Sequence, residues 1–273
     1  MKKVIVAFDG NHASGGAFEF ARRMNEAEPI LLIGVFIPQV DFSADLLYSP
    51  MGTAGVMPFS EKYDPVIITQ EINEFQEACI RHHIEFRVHN DHADLAVREL
   101  KKETRFADLL ILGSEKFYSN LGTDSPNEYL KLVLHDAECP VLLVPEKFRF
   151  PENNILSYDG SDDAIFAIKS FSCLFPQLCD NKTTLVYATN KQSAEIPEED
   201  YIKELATRHF KDLTLQVLDA DPRKYFETWL SEFESPILIS GSFARSFISV
   251  VFRQSFITKT INDHQIPVFI AHR

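Results

Sequence analysis

Cysteine is scarce in this chain. The four present, Cys79, Cys139, Cys173 and Cys179, include no Cys-x-x-Cys pair, and they are too few and too scattered for a disulfide framework. They read as buried thiols, because a free cysteine behaves as a small hydrophobe. Long apolar runs are also missing. The longest, around Ile30–Pro38, has the length of a strand, against roughly 18 residues for a membrane-spanning helix. After Met1-Lys2-Lys3 come only five apolar residues, short of the about 7–15 in a secretory signal. Both absences point to a cytoplasmic protein. Basic residues are in deficit, 27 Lys+Arg against 40 Asp+Glu, for a net charge of −13. Such a chain repels phosphate backbones and anionic lipid, so no nucleic-acid or membrane partner is expected. One small anion held by local backbone amides is not excluded. There is no Gly-x-x-x-x-Gly-Lys-Ser/Thr loop, no Gly-x-Gly-x-x-Gly fingerprint and no His-x-Gly-His element. The single tryptophan, Trp229, sits in a helical pattern and suggests no chemistry.

What the chain does contain, it contains twice. Val4-Ile5-Val6-Ala7-Phe8-Asp9-Gly10 is an apolar run closed by Asp-Gly, and Ile155-Leu156-Ser157-Tyr158-Asp159-Gly160 is another, 150 positions on. Ala17 and Ala167 keep that offset. Asp108-Leu109-Leu110-Ile111-Leu112-Gly113-Ser114 resembles Pro236-Ile237-Leu238-Ile239-Ser240-Gly241-Ser242 at an offset of 128, and Cys139-Pro140-Val141 resembles Ile266-Pro267-Val268 at 127. The falling offset makes the second copy the shorter. The excess lies in residues 39–64, where Pro50 and Pro58 break regular structure. That stretch also carries Phe42, Leu46, Leu47, Tyr48, Met51, Met57, Phe59 and Tyr63. It reads either as a loop folded back on its parent or as a lid or partner surface. Two copies imply two domains, 1–147 and 151–273, joined by a short exposed linker between Pro145 and Glu152.

Within each copy, short Val/Ile/Leu runs without alternation are separated by helix-period segments. This is the pattern of parallel strands covered on both faces. Strands are expected near 3–8, 30–36, 84–89, 108–112 and 140–144, then near 154–158, 183–188, 212–217, 236–240 and 267–271. Helices are expected near 14–26, 66–82, 93–104 and 126–136, then near 162–174, 198–209, 222–232 and 250–262. The fold class is α/β: two doubly wound, five-stranded, Rossmann-like parallel sheets. Ligands on such sheets sit at the carboxyl ends of strands where strand order reverses. That nominates four turns: Asp9-Gly10, Gly113-Ser114, Asp159-Gly160 and Gly241-Ser242.

On these residues the chain resembles a tandem universal stress protein of the UspA-like type. Family domains open with a strand ending Asp-Gly-Ser, as in Asp159-Gly160-Ser161 and, less closely, Asp9-Gly10-Asn11. Their fourth strand ends apolar-Gly-Ser, as at Gly113-Ser114 and Gly241-Ser242, and their last opens Cys-Pro-Val, as at Cys139-Pro140-Val141. The resemblance implies adenine-nucleotide contacts from Asp9 with Val35 and from Asp159 with Ala188, with ATP or another adenine nucleotide as ligand. It implies phosphate contacts from Gly113 and Ser114, or from Gly241, Ser242 and Ser255. It also implies that 141–144 and 268–271 pair antiparallel, an intramolecular pseudo-dimer. A homodimer through other faces and an unidentified protein partner are left open.

Neither copy keeps the family's Gly-x-x-Gly…Gly-Ser loop intact. In the second, Ala244 and Gln254 replace two glycines, while Arg245 and Ser255 remain. In the first, Lys116 and Asn127-Glu128 depart. A carboxylate such as Glu128 beside a phosphate is repulsive. The expected function is therefore a stress-response binding or regulatory protein with degenerate nucleotide sites, with no metal site and no catalytic residues. The alternatives are an ATP-binding sensor using one half, the second favoured, or a slow ATP hydrolase. Asp9 and Asp159 read either as turn or cap carboxylates or as ligand contacts. His82, His83, His89 and His92, with Asp91 and Asp94, match no zinc spacing. They read as helix-end and strand-end residues, and Ser14-Gly15-Gly16 reads as small residues admitting close helix packing.

Overall fold

A computed structural model describes residues 1–8, 15–36, 65–89, 96–113, 134–189, 195–219, 228–241 and 266–272. Ten strands form one sheet: β1 (Lys2–Phe8), β2 (Ile30–Phe36), β3 (Glu85–His89), β4 (Leu109–Gly113), β5 (Val141–Val144), β6 (Asn153–Ser157), β7 (Lys182–Thr189), β8 (Asp212–Asp219), β9 (Pro236–Ser240) and β10 (Val268–Ile270). Their order is β3-β2-β1-β4-β5-β10-β9-β6-β7-β8. Each half therefore has the same doubly wound order, with a reversal at β1 in one and at β6 in the other. All strands within a half are parallel. β5 and β10 meet antiparallel, with Leu142 opposite Phe269. The pairing of the last strands that the resemblance implies is present, and it turns the carboxyl ends of the two halves toward opposite rims.

The strands lack alternation because both faces are covered. Every residue of β4 and β9 is buried. Along β1, Val4, Val6 and Phe8 face one apolar cluster, Ile5 and Ala7 the other. The first face carries α1 (Gly15–Ala27), α2 (Pro65–Arg81), α4 (Asp162–Leu174) and α5 (Glu199–His209). α3 (Ala96–Thr104) lies on the second, through Leu100. Ala17 and Ala167, which mark the repeat, are fully buried beneath α1 and α4, where a larger side chain would push helix from sheet. The expected helix at 250–262 and residues 39–64 lie outside the described residues.

The linker departs from expectation. Pro145 and Pro151 are buried, and Phe148 and Phe150 pack on the core. Both rings lie against Phe20 of α1, at centroid distances of 5.7 and 5.2 Å. Phe20 also meets Phe175 edge-on at 5.9 Å, and Phe175 meets Phe269 of β10 at 5.8 Å. A chain of aromatic contacts thus crosses the seam, and one apolar cluster holds residues of both halves. The linker is tied down because two of its residues are large and apolar, and each buries part of its ring against the core, which is favourable in proportion to the apolar area covered.

Helix ends follow local chemistry. α4 starts at Ser161, whose hydroxyl accepts from the Ala164 amide at 3.2 Å, with Asp162 and Asp163 in the first turn, where negative charge suits the helix dipole. It stops before Pro176, which cannot continue a helix. α2 ends in a Schellman motif. The Ile84 amide donates to the Cys79 carbonyl and the His83 amide to the Ile80 carbonyl. His83 takes the left-handed conformation, φ 54°, that glycine usually supplies. His82 and His83 are thus helix-end residues. His89 closes β3 with its Nδ1 2.8 Å from a Glu103 carboxylate oxygen. His92, Asp91 and Asp94 lie outside the described residues.

Candidate functional site

The switch points lie between β1 and β4 and between β6 and β9. In the second half, Tyr158 donates its amide to the Val186 carbonyl, continuing the ladder past the end of β6. Carrying the β6–β7 and β6–β9 registers forward sets Asp159 beside Ala188 and Tyr158 beside Gly241. Asp159, Ala188 and Gly241 therefore share one rim. In the first half, Val35 lies opposite Ala7 and His89, and Gly113 opposite Val144. Val35 and Gly113 sit on strands flanking β1, at the other rim. Asp9, Ser114, Ser242 and Ser255 lie outside the described residues, as do Lys116, Asn127, Glu128, Ala244, Arg245 and Gln254.

Two of the second-half positions have structural employment. Asp159 is exposed, yet its Oδ1 accepts from the Ser161 amide at 3.0 Å and from the Ser161 hydroxyl at 2.5 Å. It orients the residue that caps α4, so Asp159 is a turn carboxylate and Ser161 is the cap. Gly241 is packed against the first turn of α4. A Cβ there would overlap the Ala164 nitrogen and the Asp163 carbonyl group. A substitution at Gly241 thus breaks helix–sheet packing before it can report on a ligand.

Further contacts at this rim have no signature in the sequence. Tyr158 is fully buried and donates its hydroxyl to the Pro197 carbonyl at 3.0 Å. Burial pushes its phenol above the ordinary range, with Glu198 and Asp159 adding to the rise. Gly160 has φ +82°, and a side chain there would meet the Pro197 ring. The loop before α5 is therefore fastened to the turn after β6. Its Glu198 is itself left-handed, φ 50°, and Ile196 is anchored in the core.

At the first-half rim, the Gly16 amide donates to Glu146 Oε2 at 3.3 Å. This places a linker carboxylate at the start of α1, where its charge is favourable. A Cβ on Gly16 would overlap the Pro145 carbonyl oxygen, so close packing accounts for this glycine. Beneath the rim, Phe8 stacks on Phe36 at 4.8 Å, and Phe75 closes on both edge-on. Gly34 leaves the space the Phe75 ring occupies. Across the seam, His272 Nε2 lies 2.7 Å from the Leu134 carbonyl oxygen.

The cysteines correct one expectation. Cys79 and Cys179 are buried, Cys139 is half-buried and Cys173 is exposed. Cys173 follows Phe171 and Ser172, which face the sheet, so the helical turn carries it to the outer side of α4. Burial pushes the Cys79 and Cys139 thiols up to about 12. Among the described residues no group of three His, Cys, Asp or Glu side chains could hold a metal ion. Nor is any described helix long and apolar enough to cross a membrane.

No family model and no curated protein matches the sequence. Solved structures do match in fold. A universal stress protein from Archaeoglobus fulgidus DSM 4304 aligns over 100% of this chain and 96% of its own, with a TM-score of 0.61 and 14% identity. Two Pseudomonas aeruginosa proteins align over 100% of this chain at 12% identity and a TM-score of 0.53, covering 93% and 92% of their own lengths. One carries the same family designation, and the other is described as functionally unknown. At these identities the likeness is one of fold. The fold of this chain is that of the universal stress proteins over its whole length.

Proposed function

We propose that this chain, built on the universal-stress-protein fold, is a cytoplasmic stress-response protein that acts by binding, and that its two adenine-nucleotide sites are degenerate. The observation that carries the reading is the employment of the second-half positions. Asp159 commits an oxygen to the α4 cap, and the space a side chain at Gly241 would take is filled by the α4 backbone. The departures from the glycine loop, Ala244 and Gln254 in one half and Lys116 with Glu128 in the other, support it. Ala244, Gln254 and Lys116 each stand where a glycine would let the backbone approach, and Glu128 adds a like charge where phosphates would lie, which the Lys116 cation only partly offsets. A chain with this balance of charge acts on a protein partner in preference to a polyanion.

A second reading draws on the exposure of Asp159 beside Ala188 at the point where strand order reverses. Under it, the second half senses an adenine nucleotide. Calorimetric titration with ATP, with and without Mg²⁺, and a parallel thermal-shift series separate the two. Degenerate sites give no heat and no shift at millimolar nucleotide. Saturable heat that disappears in Asp159→Ala establishes the sensor. Release of inorganic phosphate from bound ATP establishes a hydrolase and overturns both.

A further inference from the structure

Cys173 and Cys179 differ from the other two cysteines in lying six positions apart in the chain and in being unlike in exposure. Cys173 stands open to solvent on the last turn of α4. Pro176 then ends the helix, and the 3-10 turn Pro176–Asp180 folds the chain back beneath it. The Cys179 sulfur comes to lie at the open end of α4, 3.5 Å from the Phe175 carbonyl oxygen and 4.0 Å from that of Ser172, the residue before Cys173. Between the two cysteines lies Phe175, the ring that bridges Phe20 of the first half to Phe269 of β10.

We propose that Cys173 and Cys179 are an oxidant-responsive pair, closing to a disulfide that draws Phe175 out of the seam between the halves. A peroxide is the oxidant. The Cys173 thiol attacks the terminal peroxide oxygen, the O–O bond breaks, and Cys173 becomes a sulfenic acid as the peroxide leaves as water or an alcohol. The Cys179 thiol gives up its proton and attacks the Cys173 sulfur. The S–S bond forms, the S–O bond breaks, and a second water leaves. Two thiols are oxidised and one peroxide is reduced.

Geometry couples this step to the fold. A side chain on a helix leans toward the N-terminus, so the Cys173 sulfur points away from the carbonyl end where Cys179 waits. The last turn of α4 must unwind for the bond to close. The bond at risk is the Phe175 amide to the Phe171 carbonyl, 2.8 Å. Burial, the larger cause, together with Asp180 and Cys173, pushes the Cys179 thiol up to about 11, so closure waits on that local opening. The response stands independently of any nucleotide site.

The test uses the reduced full-length chain treated with hydrogen peroxide, alkylated and digested with trypsin. Cleavage after Lys169 and Lys182 releases one peptide, Ser170–Lys182, holding both cysteines. It should be two hydrogens lighter than the reduced peptide and should carry no alkyl groups, while Cys79 and Cys139 take up reagent only after denaturation. The oxidised chain should unfold at lower urea and exchange the amides of β10 faster. Cys173→Ser, an exposed and fold-neutral change, should abolish the urea shift. A peptide with both thiols free, or with Cys173 over-oxidised to sulfinic acid and no bridge, overturns the pair. A bridge with unchanged urea midpoint and β10 exchange overturns its coupling to the seam.

Discussion

In the first half, the glycine that lets helix and rim touch belongs to the helix: Gly16 of α1 lies against the Pro145 carbonyl that follows β5. In the second half a different junction is tight: Gly241, the counterpart of Gly113, follows β9 and receives the backbone of Asp163 and Ala164 from α4. Among the described residues, the two helix starts also show different partners. α4 is capped from within by Ser161, steadied by Asp159. α1 takes a carboxylate from far along the chain, Glu146 of the linker. One module written twice has thus kept its strand order, while the close contacts described in its two halves fall at different junctions. Fold is conserved by burial over long strands. A junction, by contrast, is set by one or two atoms, such as the Pro145 carbonyl oxygen against Gly16.

The largest effects should come where the halves stop being separable. Phe20→Ala and Phe175→Ala each remove a ring from the seam and should each cost about 3–5 kcal/mol. Because the rings touch, a double-mutant cycle should return a coupling energy of about 0.5–3 kcal/mol. Urea denaturation of the four proteins reads this directly. A coupling near zero would make the seam a simple abutment of independent units.

Next in size are the two glycines. Gly16→Ala and Gly241→Ala should each destabilise by about 3 kcal/mol, because the added carbon meets backbone that cannot rotate away. Thermal unfolding and amide exchange should locate the first loss in α1 and the second in α4. If Gly16→Ala were silent while Gly241→Ala was severe, the first-half junction would be a loose contact and the comparison would fail on that side.

Most of the architecture was legible from the sequence, for a physical reason. A parallel strand buried on both faces must be a continuous apolar run, so Leu109–Gly113 and Pro236–Ser240 announce themselves, and their repetition announces the duplicated order. The seam was legible only as an edge-pairing expectation. Phe148 and Phe150 alternate with Lys147 and Arg149, which reads as linker until Phe20 is seen beside them. The rim was least legible. Asp159 is compatible with either a cap or a ligand contact, and only its 2.5 Å bond to Ser161 shows what one of its oxygens does. Contacts such as Tyr158 to Pro197 or Gly16 to Glu146 join residues 39 and 130 positions apart, and no local pattern encodes them. Cys173 was misread because composition gives the burial of an average cysteine, whereas its position on α4 decides the actual one.

A smaller prediction separates the two ways of starting a helix. Ser161→Ala removes the hydroxyl that accepts from the Ala164 amide and should cost about 1 kcal/mol. Glu146→Ala should cost less, since its other carboxylate oxygen is buried with no hydrogen-bond partner among the described residues, so truncation also removes an unsatisfied group. Chemical denaturation of the two variants ranks them. The reverse order would mean that the linker carboxylate, and not the local cap, is the stronger way to begin a helix in this chain.

The smallest effect is electrostatic and confined to α1. Arg22 and Arg23 both reach Glu19, and Arg22 also pairs with Glu26. The hydrogen bond from Arg22 holds the Glu19 carboxyl below the ordinary range. A carboxylate with a depressed folded value binds its proton more readily when unfolded. Its contribution is therefore present above the unfolded value and is lost as pH falls through the folded one. Glu19 is partly exposed, so screening keeps the contribution well under that of a buried pair. Stability measured by urea between neutral pH and the acid range should fall slightly more steeply in the native chain than in Glu19→Gln. Equal slopes would show that these pairs decorate α1 without supporting it, leaving Gly16 and Glu146 to hold the first half's helix in place.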